Sequence, residues 1–151
     1  MEGMTFIVKT ITRLLIAVIF SFGIYITVYG HLTPGGGFAG GIMLACGLIL
    51  LTLAFGKKTA LGRLSDFWAS LLDNLGAFTF WSIAMLGYMG GYFFINFVEK
   101  SDPFHIFSSG TILLNNLAIA IKVFASIFAV FLTLTIFGRF VSSLISTEDE
   151  E

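Results

Sequence analysis

The residue of this chain best placed to do chemistry is Lys122, which lies in the apolar run "LLNNLAIAIKVFASIFAVFLTLTIF". The run is long enough to cross a bilayer as a helix, and Lys122 is close to its middle. A cation at that depth costs at least about 2.5 kcal/mol on insertion scales, so such residues usually face protein or water. We therefore predict a role for Lys122 in ion translocation. The alternatives are that it reaches the membrane surface or makes a structural hydrogen bond.

The helical face that includes Lys122 supports this prediction. Steps of three and four residues from Lys122 reach mostly small or polar side chains, namely Asn115, Ala118, Ile119, Ala125, Ser126, Ala129 and Thr133. The other side carries Phe124, Phe128 and Phe131, which suit lipid or a bulky neighbour. A polar strip on an otherwise apolar helix predicts contact with another helix or with a wet cavity. Asn115 and Ser126 are therefore further candidates for an ion pathway.

Asp73 is the only acidic residue within the apolar segments, near the start of the third. It is a further candidate for the ion pathway. If Lys122 needs a carboxylate at its own depth, we expect another subunit to supply it. That expectation argues against a transporter that works alone.

A histidine and six glycines lie between the first two apolar segments, in "GHLTPGGGFAGG" from Gly30 to Gly41. The spacing G-x-G-x-x-G within it occurs in dinucleotide-binding loops, which need a short strand before it and a ribose-binding acid about twenty residues later. The flanking segments here are long and apolar, so a nucleotide site is excluded. His31 is either an interfacial polar group or a group that takes part in proton or cation entry, since histidine changes charge near neutral pH. His105, in "SDPFH", is expected to be an ordinary loop histidine.

The composition predicts an integral membrane protein. Of 151 residues, 57% are hydrophobic and 11% charged, with a mean hydropathy of +0.97, whereas soluble domains carry about 25% charged residues. The net charge of −1 predicts no nucleic-acid partner. Cys46 is the only cysteine, which excludes a disulfide and a cysteine-based metal site within the chain. We expect it to be a small membrane-buried residue.

Four apolar segments approach the length of about 20 residues that a bilayer requires. They predict an all-α integral membrane fold in which residues 1–151 form a single four-helix transmembrane subunit. The first segment is expected to be an uncleaved transmembrane helix, because it is long and no A-x-A-like cleavage site follows it. The predicted spans are about 7–29, 38–55, 71–97 and 113–140.

The distribution of lysine and arginine predicts the orientation. With four spans, the N-terminus, the connector 56–70 and the C-terminus share one side and carry six cations, whereas the other side carries only Lys100. Cytoplasmic segments of membrane proteins carry an excess of lysine and arginine. We therefore predict that both termini are cytoplasmic and that the His31 turn faces outward.

The glycines predict a tight turn followed by close helix packing. Proline limits one φ angle of the turn, and glycine accepts positive φ without a clash. In the second span, small residues recur at intervals of four and seven, which defines two faces on which helix backbones can approach closely. We assign the following residues to the turn and to helix packing: Pro34, Gly35, Gly36, Gly37, Gly40 and Gly41.

These residues also carry a resemblance. The motif His31-x-x-Pro34-Gly35-Gly36-Gly37-Phe38-x-Gly40-Gly41 resembles the signature of the MnhB family, a family of small membrane subunits of Mrp-type (Mnh) sodium/proton antiporters. A second block, Ser109-Gly110-Thr111 followed by Asn115, Ala118, Ile119 and Lys122-Val123, is similar to the last helix of that family. Related subunits occur in archaeal membrane-bound hydrogenase and sulfane-sulfur reductase complexes. The resemblance covers the whole chain and its four-span layout.

The resemblance implies a small membrane subunit of a multisubunit Na⁺/H⁺ antiporter module, in the cell membrane of a prokaryote. Its partners would be the other membrane subunits of an Mrp-type antiporter, or of a respiratory complex that contains one. The transported ions would be Na⁺ and H⁺. The chain would bind no cofactor and would not be an enzyme by itself.

Three hypotheses about function remain. The leading one is a subunit of an antiport module, either free-standing or part of a hydrogenase or sulfane reductase complex, with Lys122 on or beside the ion path. The second is a purely structural subunit that packs the module. The third is an independent four-helix exporter, which would need a carboxylate near the middle of the membrane for proton coupling, and the predicted spans offer none there.

Overall fold

The computed structural model describes residues 4–56, 66–98 and 108–148 of the chain. All the regular structure in these ranges is helical, which confirms the predicted all-α fold. A short 3₁₀ turn at Gly87–Gly90 follows the third helix. The four α-helices are α1 (Phe6–Tyr29), α2 (Gly37–Phe55), α3 (Asp66–Leu86) and α4 (Thr111–Glu148).

Four helical segments, the third of which includes the 3₁₀ turn after α3, are long and apolar enough to cross a membrane. These segments are Phe6–Tyr29, Gly37–Phe55, Phe67–Gly90 and Thr111–Gly138. The predicted layout of four membrane-spanning helices is therefore confirmed. The direction in which they cross stays a prediction, and Lys57, Lys58, Arg63, Lys100 and His105 lie outside the described residues.

The third helix differs most from its predicted span of 71–97. It begins at Asp66 and ends at Leu86, because the glycines of "GYMGGY" interrupt it. The chain then turns back at Gly91, which has a φ of +105°, and the amide of Phe94 donates to the carbonyl of Ala84 at 3.3 Å. The residues after Gly90 therefore fold against the end of α3 instead of extending it.

The helices do not form a closed bundle. α2 packs between α1 and α4, whereas α3 packs chiefly against α4. A small core forms where α2, α3 and α4 meet, with Leu48, Ala69, Phe128 and Leu132 buried in it. Phe128 is fully buried there. The phenylalanine side of α4 was expected to face either lipid or a bulky neighbour, and Phe128 faces protein. α4 is thus the central helix, and α3 keeps most of its surface free.

The α1–α2 turn is short because the backbone closes on itself. The amides of Leu32 and Thr33 both donate to the carbonyl of Tyr29, at 2.9 and 3.0 Å. Gly36 has a φ of +119°, a conformation that L side chains rarely adopt. The next residue, Gly37, starts α2 beside Asn116 of α4. The turn therefore sets α2 against α1 and α4 at once.

The two small-residue faces of α2 lie against two different helices. A Cβ atom at Gly37 would overlap the backbone of Asn116, and one at Gly41 would lie 2.7 Å from the carbonyl oxygen of Ala120 on α4. On the other face, Gly40 approaches Thr27 of α1 just as closely. We call this contact of α2 with α1 and α4 the glycine seam. At Gly37 and Gly41 the backbones of α2 and α4 are too close for a side chain to lie between them, whereas at Gly40 the side chain of Thr27 fills the space.

The N-terminus of α4 is held by Asn96. Its side-chain Oδ1 accepts a hydrogen bond from the amide of Thr111 at 3.1 Å. Its Nδ2 donates to the carbonyl of Ser109 at 3.3 Å. Asn96 thus joins the segment after α3 to the start of the central helix and satisfies one of its free backbone donors.

Candidate functional site

Lys122 forms an ion pair within the chain itself. Its Nζ lies 2.8 Å from Oδ1 of Asp73 on α3, and the hydroxyl of Ser126 donates to the same oxygen at 2.5 Å. The expectation that another subunit must supply a carboxylate to Lys122 is therefore wrong. The structure brings together three of the residues that the sequence indicated, and we call Asp73, Lys122 and Ser126 the polar cluster.

The error came from comparing the depths of the two α-carbons. Asp73 is seven residues into α3, about 10 Å along its axis, whereas Lys122 is near the middle of the Thr111–Gly138 segment. Gly76 lies beside Lys122, so the α-carbons of Asp73 and Lys122 differ along the helix axis by only about three residues, or about 4.5 Å. The lysine side chain is long enough to span that difference. Both residues lie within segments that are long and apolar enough to cross a membrane.

Gly76 allows the pair to form, and the sequence reasoning missed it. A Cβ atom at Gly76 would lie 2.9 Å from the backbone nitrogen and from the Cβ of Lys122. α3 therefore approaches α4 closely at the residue that carries the charge. Gly76 follows Asp73 by three residues, so both face α4. That spacing, an acid and a glycine one helical turn apart in a membrane span, is the signal that could have identified it.

The pair is only partly covered by this chain. The side chains of Lys122 and Asp73 are 44% and 35% exposed. Among the described residues, both hydrogen bonds to Asp73 end on Oδ1 and none on Oδ2, and Lys122 donates only to Asp73. One carboxylate oxygen and two ammonium hydrogens therefore remain available for groups outside the chain.

Asn115 is on the same helix as Lys122, two turns nearer the start of α4. It is 7% exposed, and its Oδ1 is buried without a hydrogen-bond partner among the described residues. Buried polar atoms of this kind normally bind protein or ordered water. The structure does not bring Asn115 into the polar cluster.

His31 is half-buried in the α1–α2 turn and is not part of the polar cluster either. Gly37, at the end of that turn, contacts Asn116 of α4. From Asn116 to Lys122 is about 9 Å along the α4 axis. His31, the candidate for ion entry, is therefore separated from Lys122, the candidate for ion passage, by more than one helical turn.

The remaining predicted residues belong to the turn and its packing. Pro34 is exposed, and Gly35 lies against the side chain of Ile26. Cys46 is within α2 but is exposed on the lateral surface of the chain. Within the described ranges, no group of three or more His, Cys, Asp or Glu side chains could hold a metal ion.

Comparison with known proteins identifies the family. The model of the family described as "Domain related to MnhB subunit of Na+/H+ antiporter" matches residues 7–129, which include the turn, the polar cluster and all of α2 and α3. The chain belongs to this MnhB-related family. The resemblance inferred from the glycine motif is thus confirmed.

Several individual relatives match part of the chain. An uncharacterized protein of Methanocaldococcus jannaschii is 36% identical over 112 residues, which are 70% of this chain and 42% of that protein. A protein of Staphylococcus saprophyticus, whose name proposes it as antiporter subunit mnhB2, is 38% identical over 55 residues, 36% of this chain and 39% of its own. The protein so named in Staphylococcus aureus strain Newman is 38% identical over 58 residues, 38% of this chain and 41% of its own. The matches span less than half of each relative's length.

Proposed function

We propose that this chain is a membrane subunit of a Na⁺/H⁺ antiporter module in the cell membrane of a prokaryote, and that the polar cluster contributes to its ion pathway. Membership of the MnhB-related family and the names of the staphylococcal relatives support the first part. The observation that carries the second is the ion pair between Lys122 and Asp73, at 2.8 Å, inside two membrane-spanning segments. Ionisable residues at such depth usually serve ion or proton pathways.

The chemistry of the cluster suits exchange of a cation for a proton. A lysine ammonium beside a carboxylate is neutral overall, which reduces the cost of both charges in the membrane. When Nζ gives its proton to water or to a base on a neighbouring subunit, Asp73 keeps its negative charge and attracts another cation. Na⁺ is a hard cation that binds carboxylate and hydroxyl oxygens, and Asp73 and Ser126 supply both. The protonated ammonium of Lys122 and Na⁺ therefore compete for one carboxylate, so loss of the proton from Nζ is coupled to binding of the cation, which is the relation that antiport requires.

This role gives the chain no catalytic or cofactor-binding residue of its own. It acts as a transport subunit, and its partners are other membrane subunits of the module. The same role fits a free-standing antiporter and a module driven by a hydrogenase or sulfane reductase. The proteins that co-purify with the tagged chain from gently extracted native membranes, identified by mass spectrometry, distinguish the two.

Two variants test the role of the ion pair. Lys122→Met leaves Asp73 as an uncompensated charge, whereas Lys122→Met combined with Asp73→Leu replaces the pair by apolar side chains of similar volume. Removing one partner of a buried pair is strongly destabilising, but replacing both is often neutral. We expect the single variant to reduce both assembly and Na⁺-dependent proton movement in everted vesicles. We expect the double variant to restore assembly while transport per assembled complex stays about tenfold or more below wild type, about 1.4 kcal/mol.

The structural-subunit hypothesis predicts a different result. It is favoured by one observation, that the chain satisfies much of the Lys122 charge internally. On that hypothesis, the double variant transports as wild type once it is assembled. That outcome would refute an ion-pathway role for the cluster. Lys9→Met, which removes a cation near the start of α1, is the control and is expected to leave transport unchanged.

A further inference from the structure

The polar cluster lies on a strip of the chain that no described residue covers. Ser70 and Ala77 are one turn to either side of Asp73 on α3, and both are exposed. We call the surface formed by Ser70, Asp73 and Ala77 of α3 with Lys122 and Ser126 of α4 the open strip. An ion pair that is 44% and 35% exposed at this depth cannot face lipid without a large cost. Something other than lipid must therefore cover the strip in the working protein.

We propose that a membrane-spanning helix of another subunit covers the open strip and presents a neutral amide or hydroxyl side chain to the ion pair. This inference rests on the proposed function, because it requires a multisubunit assembly. It specifies which face of the chain docks and what chemistry docks there.

The hydrogen-bonding capacity of the pair determines the chemistry of the partner. Oδ2 of Asp73 needs a donor, and the remaining hydrogens of Lys122 need an acceptor. Asn, Gln, Ser and Thr supply both from one side chain. The pair is already neutral, so a charged partner side chain would leave one uncompensated charge within the membrane. A neutral side chain with both functions is the group that fits.

The size of the exposed residues also favours a helix at this strip. Ser70 and Ala77 are small and allow a second helix backbone to approach, as small residues do at helix contacts in membranes. The same side of α3 carries exposed bulky aromatic side chains farther along, Phe67 one turn before Ser70 and Trp81 one turn after Ala77. The small residues are thus confined to the level of the ion pair, where a second helix can approach most closely.

The opposite flank of α3 provides a matched control position. Thr79 is exposed there and lines a shallow cavity of about 120 Å³ with Leu75, Leu117 and Ile121, whose walls are apolar. Acyl chains can fill such a groove without leaving a charge unpaired. Thr79 and Ala77 are therefore at almost the same depth on α3 but on different flanks.

The first test is site-specific photo-crosslinking in native membranes that contain the whole complex. A benzophenone side chain is placed at position 77 or at position 79, and the products are identified by mass spectrometry. Position 77 is expected to cross-link to one membrane-spanning segment of another subunit, with an Asn, Gln, Ser or Thr within about one helical turn of the cross-link. Position 79 is expected to give mainly lipid adducts.

A steric variant provides a second, independent measurement. Ala77→Trp is expected to reduce co-purification of the other subunits several-fold, whereas Thr79→Trp leaves it near wild type. The proposal is overturned if position 77 cross-links only to lipid, if the captured segment lacks a neutral polar side chain, or if Thr79→Trp is as harmful as Ala77→Trp.

Failure of this proposal differs from failure of the proposed function. If the other subunits co-purify and antiport is normal while position 77 captures no protein, the open strip is not the docking face and the antiporter role stands. If the unmodified chain co-purifies with no membrane subunit at all, the antiporter role itself is wrong.

Discussion

The glycine seam and the polar cluster are two helix contacts of opposite kinds, one formed by residues without side chains and the other by charged and polar side chains. In the glycine seam, α2 packs on the backbone of α4 at Gly37 and on the Thr27 side chain of α1 at Gly40, with no room for a Cβ atom at either glycine. In the polar cluster, α3 meets α4 around a lysine, an aspartate and a serine, and the pair stays partly open. The first contact is complete within the chain. The second is not, and we propose that a partner subunit completes it on the side of α3.

A single feature unites the two contacts. Gly76 on α3 approaches Lys122 as the glycines of α2 approach α4, although less tightly. Close approach at Gly76 positions charged groups, whereas close approach in the glycine seam only joins helices. Substitutions at these glycines should therefore separate assembly of the subunit from its transport function.

The largest effect is expected from Gly37→Ala. The added methyl group would overlap the backbone of Asn116, and main-chain atoms cannot rotate away. We expect destabilisation of about 3 kcal/mol, at the upper end of the usual range for overpacking. The folded subunit should become scarce in the membrane, as measured by fluorescence-detected size-exclusion chromatography of a tagged chain.

Gly138→Ala is the matched control for this prediction. Nothing lies within 4 Å of a Cβ atom at Gly138 on α4, and alanine favours a helix over glycine by about 0.5–1 kcal/mol. This variant should be as abundant as wild type or more so. Equal abundance of both variants would show that the glycine seam is not needed for folding.

A smaller effect on stability, with a larger one on transport, is expected from Gly76→Ala. The new methyl group would lie 2.9 Å from two atoms of Lys122 and from the carbonyl oxygen of Ala118. α3 must move outward by a fraction of an ångström, at a cost of about 1–2 kcal/mol. The bond from Lys122 to Asp73 then lengthens, so transport per assembled complex should fall more than abundance does.

Thr79→Ser is the control for Gly76→Ala, since it changes an exposed residue of the same helix outside the open strip by one methyl group. If Gly76→Ala reduces abundance and transport in the same proportion, Gly76 only packs the helices. The contact at Gly76 would then not differ in function from the glycine seam.

The smallest effect is expected from Ser126→Ala. This variant removes one of the two hydrogen bonds to Oδ1 of Asp73 and should cost about 1 kcal/mol. Transport should slow several-fold while the complex remains assembled. Thr135→Val is the matched control, because the hydroxyl of Thr135 bonds only within its own helix, to the carbonyl of Phe131 at 2.8 Å. Equal transport by both variants would remove Ser126 from the ion pathway.

The four helices could be predicted from the sequence because apolar length is a local property. A run of about 20 apolar residues must satisfy its backbone internally in lipid, and a helix does so. The end of α3 could not be predicted in this way, because Phe94 and its neighbours are as apolar as a membrane span. The return of the chain at Gly91 depends on a positive φ angle, which composition does not reveal.

The sequence predicted which residues belong to the candidate site but not the contacts between them. Lys122, Asp73 and Ser126 stand out singly, since each is polar within an apolar segment. Their contact depends on how α3 and α4 are aligned, and 49 residues of chain separate the lysine from the aspartate. No spacing rule extends that far, so the sequence does not show that the lysine reaches the aspartate.

The sequence alone determined that this chain is a four-helix membrane protein with a cation at membrane depth, because hydrophobic length and charge are properties of each segment. The tertiary structure alone decided that Lys122 pairs with Asp73 within the chain and that the pair stays open on one side. The physical reason is the absence of a side chain at Gly76. It lets α3 approach α4 at the charged residue, while no other described helix covers that flank.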